Sequence, residues 1–338
     1  MVNIPSTVPE FKELIDRSFE KYADSHDRSN LKAYLVESNL EIPPNLPGFN
    51  EWNSIGGRWY ASHNNKGNYF IMNATNSRIW ILYSLAPVNI SDKSVSTWVS
   101  LNKGLDRCWF SRSNLESFGK KNEWEEKGIG LKYENTVSSY DESFKFSLKA
   151  WYGNSKDKEI IDIFEKAKAK FTTTSIRWRD LEAGRTSMRS EWYNDGKITV
   201  NYSNSVSEIL QSIAEIASKY HDSLKEAEQN RDRKREAFEF EFKQKIDLDM
   251  YSEALFKGTG NLKLWMSEIE SCEGFKRFSG VDLHTGDRIF LDIAEDYAYM
   301  TVPGNGCVNA VPRFAVVQGV NALGETKIFY KGSEIFND

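Results

Sequence analysis

The longest regular pattern of apolar and polar positions lies within the stretch from Lys197 to Lys257. Its apolar residues recur at alternating steps of four and three, which is the spacing of a narrow apolar seam along one long helix. The seam is formed by Val206, Leu210, Ile213, Ala217, Tyr220, Leu224 and Ala227. Ser205 and Glu208 form a Ser-x-x-Glu capping box, which predicts that the helix begins here.

The far end of this predicted helix, which covers about residues 205–235, is charged around its whole circumference. Arg231, Lys234 and Arg235 fall where the apolar seam stops. A helix without an apolar face has left its own core, so we expect this end to face a protein partner. The seam leaves two interpretations open: packing against a sheet of the same chain, or self-association as a coiled coil, which normally needs three to four heptads.

The segment before the long helix combines strands with one helix. Alternating polarity predicts strands at 144–152, 174–181, 187–193 and 197–202, and a helical period predicts a helix at 156–171. Asn194-Asp195-Gly196 is typical of a hairpin turn between the last two strands. The order β-α-β-β-β-α predicts a two-layer unit that ends in the long helix.

The N-terminal part is predicted to join helices to an antiparallel β meander. Apolar spacing predicts a helix from near Pro9 and a second short helix from Asn30 to Ser38. Three strand candidates, at 58–63, 69–74 and 78–85, are separated by turn residues. A further strand or irregular piece is expected at 96–102.

The C-terminal part is rich in short strand candidates. They lie at 262–265, 277–284, 288–293, 298–302, 314–320 and 327–330. Strands at this spacing predict a small barrel or a curled sheet. Residues 238–246 fit either a strand or a helix, with the helix slightly favoured. The whole pattern predicts an α+β protein in three segments: residues 1–140, 141–245 and 246–338.

Composition narrows the class of protein. The net charge of −5 gives no overall attraction to nucleic acid or anionic lipid, so any such contact needs a local patch. Three widely spaced cysteines without a CxxC motif predict free thiols in a reducing, cytoplasmic compartment. No apolar run is long enough to span a bilayer, so we expect no membrane contact.

The middle segment carries arginines on neighbouring predicted strands. The candidate residues are Arg177, Arg179, Arg185, Arg189 and Tyr193. Because alternate residues of a strand share a face, guanidinium and aromatic groups here are expected to meet and to bind single-stranded nucleic acid or phosphate. The alternative is a solvated face on which Glu182 and Glu191 pair with the arginines across strands.

The sharpest catalytic-looking string is Asp282-Leu283-His284-Thr285-Gly286-Asp287. An Asp-x-His pair at a strand end can hold a metal, so Asp282, His284 and Asp287 form an alternative metal site. The spacing does not match that of metallophosphoesterases, and a plain hairpin turn is favoured, so no metal is predicted. Phosphate-binding loops of the GxxxxGK[ST] and GxGxxG types are absent from the sequence, and no cofactor is predicted.

These observations favour a non-enzymatic binding or assembly protein. The expected partners are nucleic acid at the arginine face, and a protein, or a second copy of the chain, at the 205–235 helix. One alternative is a metal-dependent hydrolase or phosphoesterase centred on Asp282 and His284. Another is a small-ligand sensor with an aromatic pocket around Trp59, Trp80 and Trp109.

Overall fold

The computed structural model describes residues 4–21, 31–134, 145–151, 158–234, 236–243, 245–256, 262–304, 306–319 and 324–336. Within these ranges the chain forms seven helices and two antiparallel sheets, which confirms the α+β class. Contacts between residues divide the chain into two compact units, whose boundaries differ from those of the three predicted segments. Unit 1 is Met1–Cys108, Phe118–Glu126 and Arg177–Asp222, and unit 2 is Trp109–Ser117, Lys127–Ile176 and Ser223–Asp338.

The elements are distributed over both units. Unit 1 contains α1 (Val8–Lys21), β1 (Leu31–Ser38), β2 (Asn53–Gly56), β3 (Trp59–His63), β4 (Tyr69–Asn73), β5 (Ile79–Ser84), α2 (Val88–Leu101), β6 (Leu105–Arg107), β10 (Arg185–Tyr193) and β11 (Lys197–Ser203). Unit 2 contains β8 (Lys145–Trp151), α4 (Lys158–Lys170), β12 (Phe238–Glu241), α6 (Leu248–Phe256), β13 (Leu264–Cys272), β14 (Phe275–Asp282), β15 (Arg288–Ala294), β16 (Tyr297–Thr301), α7 (Ala310–Gln318), β17 (Lys327–Tyr330) and β18 (Ser333–Glu334). Residues of α3 (Arg112–Lys121), β7 (Glu125–Glu134), β9 (Thr172–Glu182) and α5 (Val206–Lys234) belong to both.

Strand β1 is the central strand of the unit 1 sheet. The strand order in this unit is β2-β3-β4-β5-β1-β11-β10-β9, and β6 also pairs with β1. All eight residues of β1 are buried. The predicted helix from Asn30 to Ser38 is therefore wrong over the described residues 31–38. A strand that is buried on both faces carries apolar residues at odd and even positions alike, and this sequence pattern resembles that of a buried helix.

The predicted meander and hairpin are confirmed. Strands β3, β4 and β5 pair in antiparallel succession. Strands β10 and β11 pair around the predicted Asn194-Asp195-Gly196 turn. The pairing of β1 with β11 joins this hairpin to the meander, so strands β9–β11 extend the N-terminal sheet. The expected strand at 96–102 is instead the end of α2, whose Val95, Trp98 and Val99 are buried.

The two faces of the unit 1 sheet are covered by different helices. On one face, Trp98 of α2 packs in a buried cluster with Val36 and Trp80. On the other face, Phe11 of α1 contacts Tyr83, with ring centroids 5.6 Å apart. Both faces are therefore core, which explains why strands β1, β4 and β5 are apolar almost throughout.

Unit 2 contains a seven-stranded sheet in the order β13-β14-β15-β16-β12-β17-β18. Phe240 of β12 points into the core and contacts Phe314 of α7, with ring centroids 4.8 Å apart. Residues 238–241 are thus a strand, against the helix slightly favoured above. The predicted strand at 314–320 is wrong over its described residues, since Phe314 belongs to helix α7, where nearly every side chain is buried. Period alone does not separate a buried helix from a buried strand.

The long helix α5 begins at Val206, as predicted. The backbone N–H of Glu208 donates to the Ser205 hydroxyl at 3.3 Å, which is one half of the capping box. Every seam residue from Val206 to Ala227 is buried. The seam therefore packs inside the protein, and the helix contributes its first half to unit 1 and its second half to unit 2.

None of the helices in the described residues is long and apolar enough to cross a membrane.

Two turn glycines of unit 1 give a matched test of close packing. Gly196 has φ +79°, and a Cβ there would lie 2.9 Å from the Cys108 carbonyl oxygen. Gly184, between β9 and β10, has φ +76° with open space around it. We expect Gly184→Ala to cost about 1 kcal/mol for backbone strain, and Gly196→Ala about 1–3 kcal/mol more, because the carbonyl must move. Urea unfolding of both variants measures the difference, and equal losses would contradict the close approach.

Candidate functional site

The predicted arginine face of unit 1 is largely engaged by carboxylates. An Nη2 of Arg177 lies 3.7 Å from Glu191 Oε2. Arg179 donates from Nε and Nη2 to Glu125 Oε2, at 3.2 and 2.6 Å. Arg185 is exposed beside the β9–β10 turn. The alternative interpretation, in which Glu182 and Glu191 pair with the arginines across strands, is thus met by Glu191 at Arg177. Glu182 instead accepts a hydrogen bond from Asn204.

A β-bulge interrupts the pairing of the arginine-bearing strand β10 with β11. The register of β10 against β11 shifts between Arg189 and Ser190. Arg189 consequently pairs with Tyr202 and lies over its ring at 5.7 Å. Glu191, the partner of Arg177, pairs with Thr199. Arg177, Arg179 and Arg189 therefore contact different partners, and nucleic-acid binding at this face stays a prediction.

Tyr193, the aromatic member of the predicted face, lies beside a lysine. The Lys197 ammonium is 5.1 Å from the centroid of the Tyr193 ring. Burial first, and then the nearby Glu191, raise the pKa of the Tyr193 hydroxyl well above its usual value. The hydroxyl stays protonated at neutral pH.

The charged end of α5 does not face outward at Arg231. Its side chain is buried and donates from Nη2 to the Gly304 carbonyl at 2.9 Å, and from Nη1 to the Gly306 carbonyl. The prediction of a partner-facing Arg231 is therefore corrected: the guanidinium holds a loop of unit 2 through two backbone oxygens. The side chains of Lys234 and Arg235 lie outside the described residues.

The alternative metal residues lie at the hairpin between β14 and β15. Asp282 and His284 are buried, and Asp287 is half-buried. The Asp282 carboxylate accepts from Arg313 Nη2 at 2.5 Å and from the His284 backbone N–H at 3.0 Å. Asp287 contributes its carbonyl oxygen to the Asp282 N–H at 2.8 Å. The carboxylate of Asp282 is thus half of a fully buried ion pair with α7.

The proposed aromatic pocket is divided by the unit 1 sheet. Trp80 lies in the core cluster beneath α2, whereas Trp59 stacks on Tyr83 on the α1 side, with centroids 6.0 Å apart. These two rings therefore line opposite faces. Trp109 belongs to unit 2.

One face of the unit 2 sheet is open, and the sequence reasoning did not single it out. Its first cross-strand row is Trp265, Val281 and Arg288, and its second row is Ser267, Ser279, Phe290 and Thr301. We call these seven residues the open face. The alternate residues, such as Leu264 and Leu291, are buried on the other side. Trp265 is 54% exposed, which is unusual for the largest apolar side chain.

The charges on this side of the sheet are separated by row. The open face carries Arg288, whose guanidinium lies 5.7 Å from the Phe290 ring centroid, and it contains no acidic residue. The next row holds Arg277, which pairs with Asp292 at 2.9 Å and with Glu270 at 2.8 Å. Positive charge and exposed aromatic surface therefore coincide at the Trp265 end.

Unit 1 contains a second polar constellation that the sequence reasoning missed. Lys32 and Tyr34 of β1, Lys197 of β11 and Asp92 of α2 form what we call the lysine cluster. Asp92 accepts from the Tyr34 hydroxyl at 2.6 Å and from Lys197 Nζ at 2.7 Å. Lys32 is 2% exposed. Lys32 lies on a strand whose residues are all buried, which is a rare place for lysine.

The titration of the lysine cluster follows from its burial. Burial lowers the pKa of Lys32 to about 8, Lys197 lowers it as well, and Asp92 opposes the shift. Burial first, and then the hydrogen bond to Asp92, raise the pKa of Tyr34 well above its usual value. Lys32 is thus poised to lose its proton far below the range of an exposed lysine.

The open face and the lysine cluster were missed in the sequence for different reasons. The alternation around Trp265 and Phe290 marks an outward row, but only strand pairing shows that both rings share it. Lys32 was hidden because residues 30–38 were assigned to a helix, where Lys32 and Tyr34 do not share a face.

Comparison with known proteins places the chain in a family. The model of the MJECL33-like protein family matches residues 9–318, and the chain belongs to this family. A relative is the uncharacterized protein MJECL33 of Methanocaldococcus jannaschii. It is 24% identical to this chain over 366 aligned residues, which cover 90% of this chain and 89% of the relative.

The buried ion pair predicts a large loss of stability on truncation. Asp282→Ala leaves the Arg313 guanidinium buried without its counter-charge, and we expect a loss of about 3–5 kcal/mol in urea unfolding. Asp287→Ala is the matched control, since only its backbone contacts Asp282, and should cost less than about 1 kcal/mol. A metal site would instead lead to a rise in the melting temperature on adding Mn²⁺ or Zn²⁺, abolished in both variants.

The lowered pKa of Lys32 predicts a pH-dependent stability. The unfolded chain, with a lysine pKa of 10.5, binds this proton more tightly than the folded chain, with a pKa of about 8. The destabilising effect of the buried charge is therefore complete below pH 8 and is relieved as the pH rises toward 10.5. Relative to Lys32→Met, the wild type should gain on the order of 2 kcal/mol between pH 8 and 10. Parallel stability curves in phosphate-free buffer would contradict this.

Proposed function

We propose that the protein is a non-enzymatic binding protein that contacts single-stranded nucleic acid through the open face of unit 2. The observation that carries the proposal is the coincidence of Trp265, Phe290 and Arg288 on one solvent-facing sheet surface. Aromatic rings on an open sheet stack on unpaired bases, and a neighbouring arginine contacts the phosphates. This retains the nucleic-acid prediction and moves it from the Arg177 strands to the C-terminal sheet.

The geometry of the open face favours single strands over duplexes. Trp265 and Phe290 lie on strands β13 and β15, separated by β14, at about 4.8 Å per strand. The rings are thus two strand spacings, or about 10 Å, apart across the sheet, which suits two unstacked bases of one extended strand that are not directly adjacent. The hydroxyls of Ser267, Ser279 and Thr301, in the same row as Phe290, supply uncharged hydrogen-bonding groups near the rings. Stacking of this kind is tolerant of sequence, so we expect weak base preference.

The net charge of −5 limits the expected affinity of the protein for nucleic acid. With a local positive charge from Arg288 and few phosphates neutralised, the affinity should be modest and only moderately dependent on salt. A reducing, cytoplasmic setting fits this proposal, because Cys108, Cys272 and Cys307 are free thiols.

The other partners and activities have less support. The seam residues and Arg231 of the 205–235 helix are buried. A protein partner, or a second copy of the chain, would therefore have to contact other residues of this helix. A hydrolase at Asp282 would have to release a carboxylate that holds Arg313. We therefore rank nucleic-acid binding at the open face first.

The open face is tested by fluorescence anisotropy with labelled 20-nucleotide oligo(dT) and oligo(U). Trp265→Ala should weaken binding by roughly 1–3 kcal/mol, about 5- to 150-fold in Kd. Arg288→Ala should reduce the slope of log K against log salt by about 0.7, as for one lost contact with a single strand.

Matched variants separate the open face from nonspecific effects. Trp151 is exposed on β8, and Arg185 is exposed beside a turn in unit 1. Trp151→Ala and Arg185→Ala should leave Kd within about twofold, because a single surface change away from the site has little effect. Equal losses in all four variants, or no binding by the wild type at low salt, would overturn the proposal.

A further inference from the structure

A polar pocket lies in unit 1 beside the turn between β3 and β4. Its volume is about 410 Å³, which is within the range of small-molecule sites. Four of its eight lining residues are asparagines: Asn50, Asn64, Asn65 and Asn68. We call it the asparagine pocket. Carboxamide groups, each of which can both donate and accept hydrogen bonds, therefore dominate its polar lining.

The turn that carries three of these asparagines is held by its own hydrogen bonds. Asn64 Oδ1 accepts from the backbone N–H groups of Lys66 and Asn68, both at 3.0 Å. The Asn64 N–H donates to the Asn68 carbonyl at 2.9 Å, and the Gly67 N–H donates to the Asn64 carbonyl at 3.0 Å. The backbone of the turn is thus fixed before a ligand arrives, which lowers the entropic cost of binding.

A second part of the lining is attached to β3. The Asn50 N–H donates to the His63 carbonyl at 2.8 Å, and the Asn50 carbonyl accepts from the Ser62 hydroxyl at 2.5 Å. Asn50 Nδ2 also lies 2.9 Å from His63 Nε2. The neighbouring Phe49 packs edge-on against Phe70, with ring centroids 5.2 Å apart. Residues 49 and 50 are therefore held against the same sheet as the turn.

The asparagine pocket keeps hydrogen-bonding groups that the fold does not use. In the part of the chain that the structure describes, the side-chain amides of Asn65 and Asn68 and the Nδ2 of Asn64 have no hydrogen-bond partner in the protein. A ligand with hydroxyl groups can both donate to and accept from these amides.

The rest of the lining selects against a highly charged ligand. Lys66, which is exposed, is the only charged residue among the described residues of the lining. A single exposed ammonium contributes little binding energy. Phe49 and Ile90 are half-buried and give the pocket an apolar surface. Amides beside an apolar surface match a sugar ring, which has hydroxyl groups at its edge and C–H groups on its faces.

We propose that the asparagine pocket binds a neutral, polyhydroxylated ligand of monosaccharide size. The ligand's hydroxyl groups bond to the amides of Asn65 and Asn68 and accept from Asn64 Nδ2, while one face of its ring packs on Phe49 and Ile90. The site is in unit 1 and does not depend on the open face of unit 2.

Saturation-transfer-difference NMR on the full-length protein tests this site, with D-glucose, D-galactose and D-mannose titrated through the millimolar range. Asn65→Ala and Asn68→Ala each remove one amide, and each should weaken binding of the preferred sugar about fivefold, as for one lost neutral hydrogen bond. Asn45→Ala is the matched control, because Asn45 is an exposed asparagine of unit 1 outside the pocket, and it should leave Kd within about twofold. Thermal melts confirm that each variant is folded.

Four outcomes would overturn the proposal. The first is the absence of binding of every sugar to the wild type, and the second is the same affinity in all variants, which would show nonspecific contact. The third is displacement of the sugar by sodium phosphate together with a larger loss in Lys66→Met than in the asparagine variants, which would identify an anion site. The fourth is a preference for uridine over every sugar, because a base would then carry the recognition.

Discussion

The fold of unit 1 depends on the hydrogen bonding of a single strand, β1. It pairs along one edge with β5 and along the other with β11, and its last three residues also meet β6. Because all of its residues are buried, none of its backbone groups has water as an alternative partner. The N-terminal meander and the β10–β11 hairpin are therefore one sheet, with α1 and α2 covering the two faces.

Because β1 is buried, its charged side chains need counter-charges close by. Glu37 is fully buried at one end of β1 and is compensated by Arg78 Nε at 3.0 Å. Lys32, near the other end, lies on the α2 side with Lys197 and Asp92. Charged groups on a central strand are expensive, so each one has a counter-charge close by. In unit 2 the same rule holds at Asp282 and Arg313, which compensate each other within the core.

The sequence predicted the parts of the fold that local rules decide. Turn residues and strict alternation located β3–β5 and the β10–β11 hairpin, and the capping box located the start of α5. Buried elements were harder, because β1 and α7 carry apolar residues on every side and the period does not distinguish a strand from a helix there. The contact of Arg179 with Glu125 was missed for a different reason: the two residues are 54 positions apart in sequence, and only the fold brings them together. Trp265, Phe290 and Arg288 became a surface only through strand pairing, which no local pattern contains.

The pairing of β1 with β11 has a consequence for the synthesis of the chain. Leu31 is opposite Val200, so the strand that completes one edge of β1 emerges about 170 residues later. At the usual rate of translation this interval is roughly 10–30 s. During that time the growing chain carries a mostly apolar strand with one unmatched edge, which is a template for pairing with other chains. Until β11 has been made, pairing of this open edge with other chains competes with native folding.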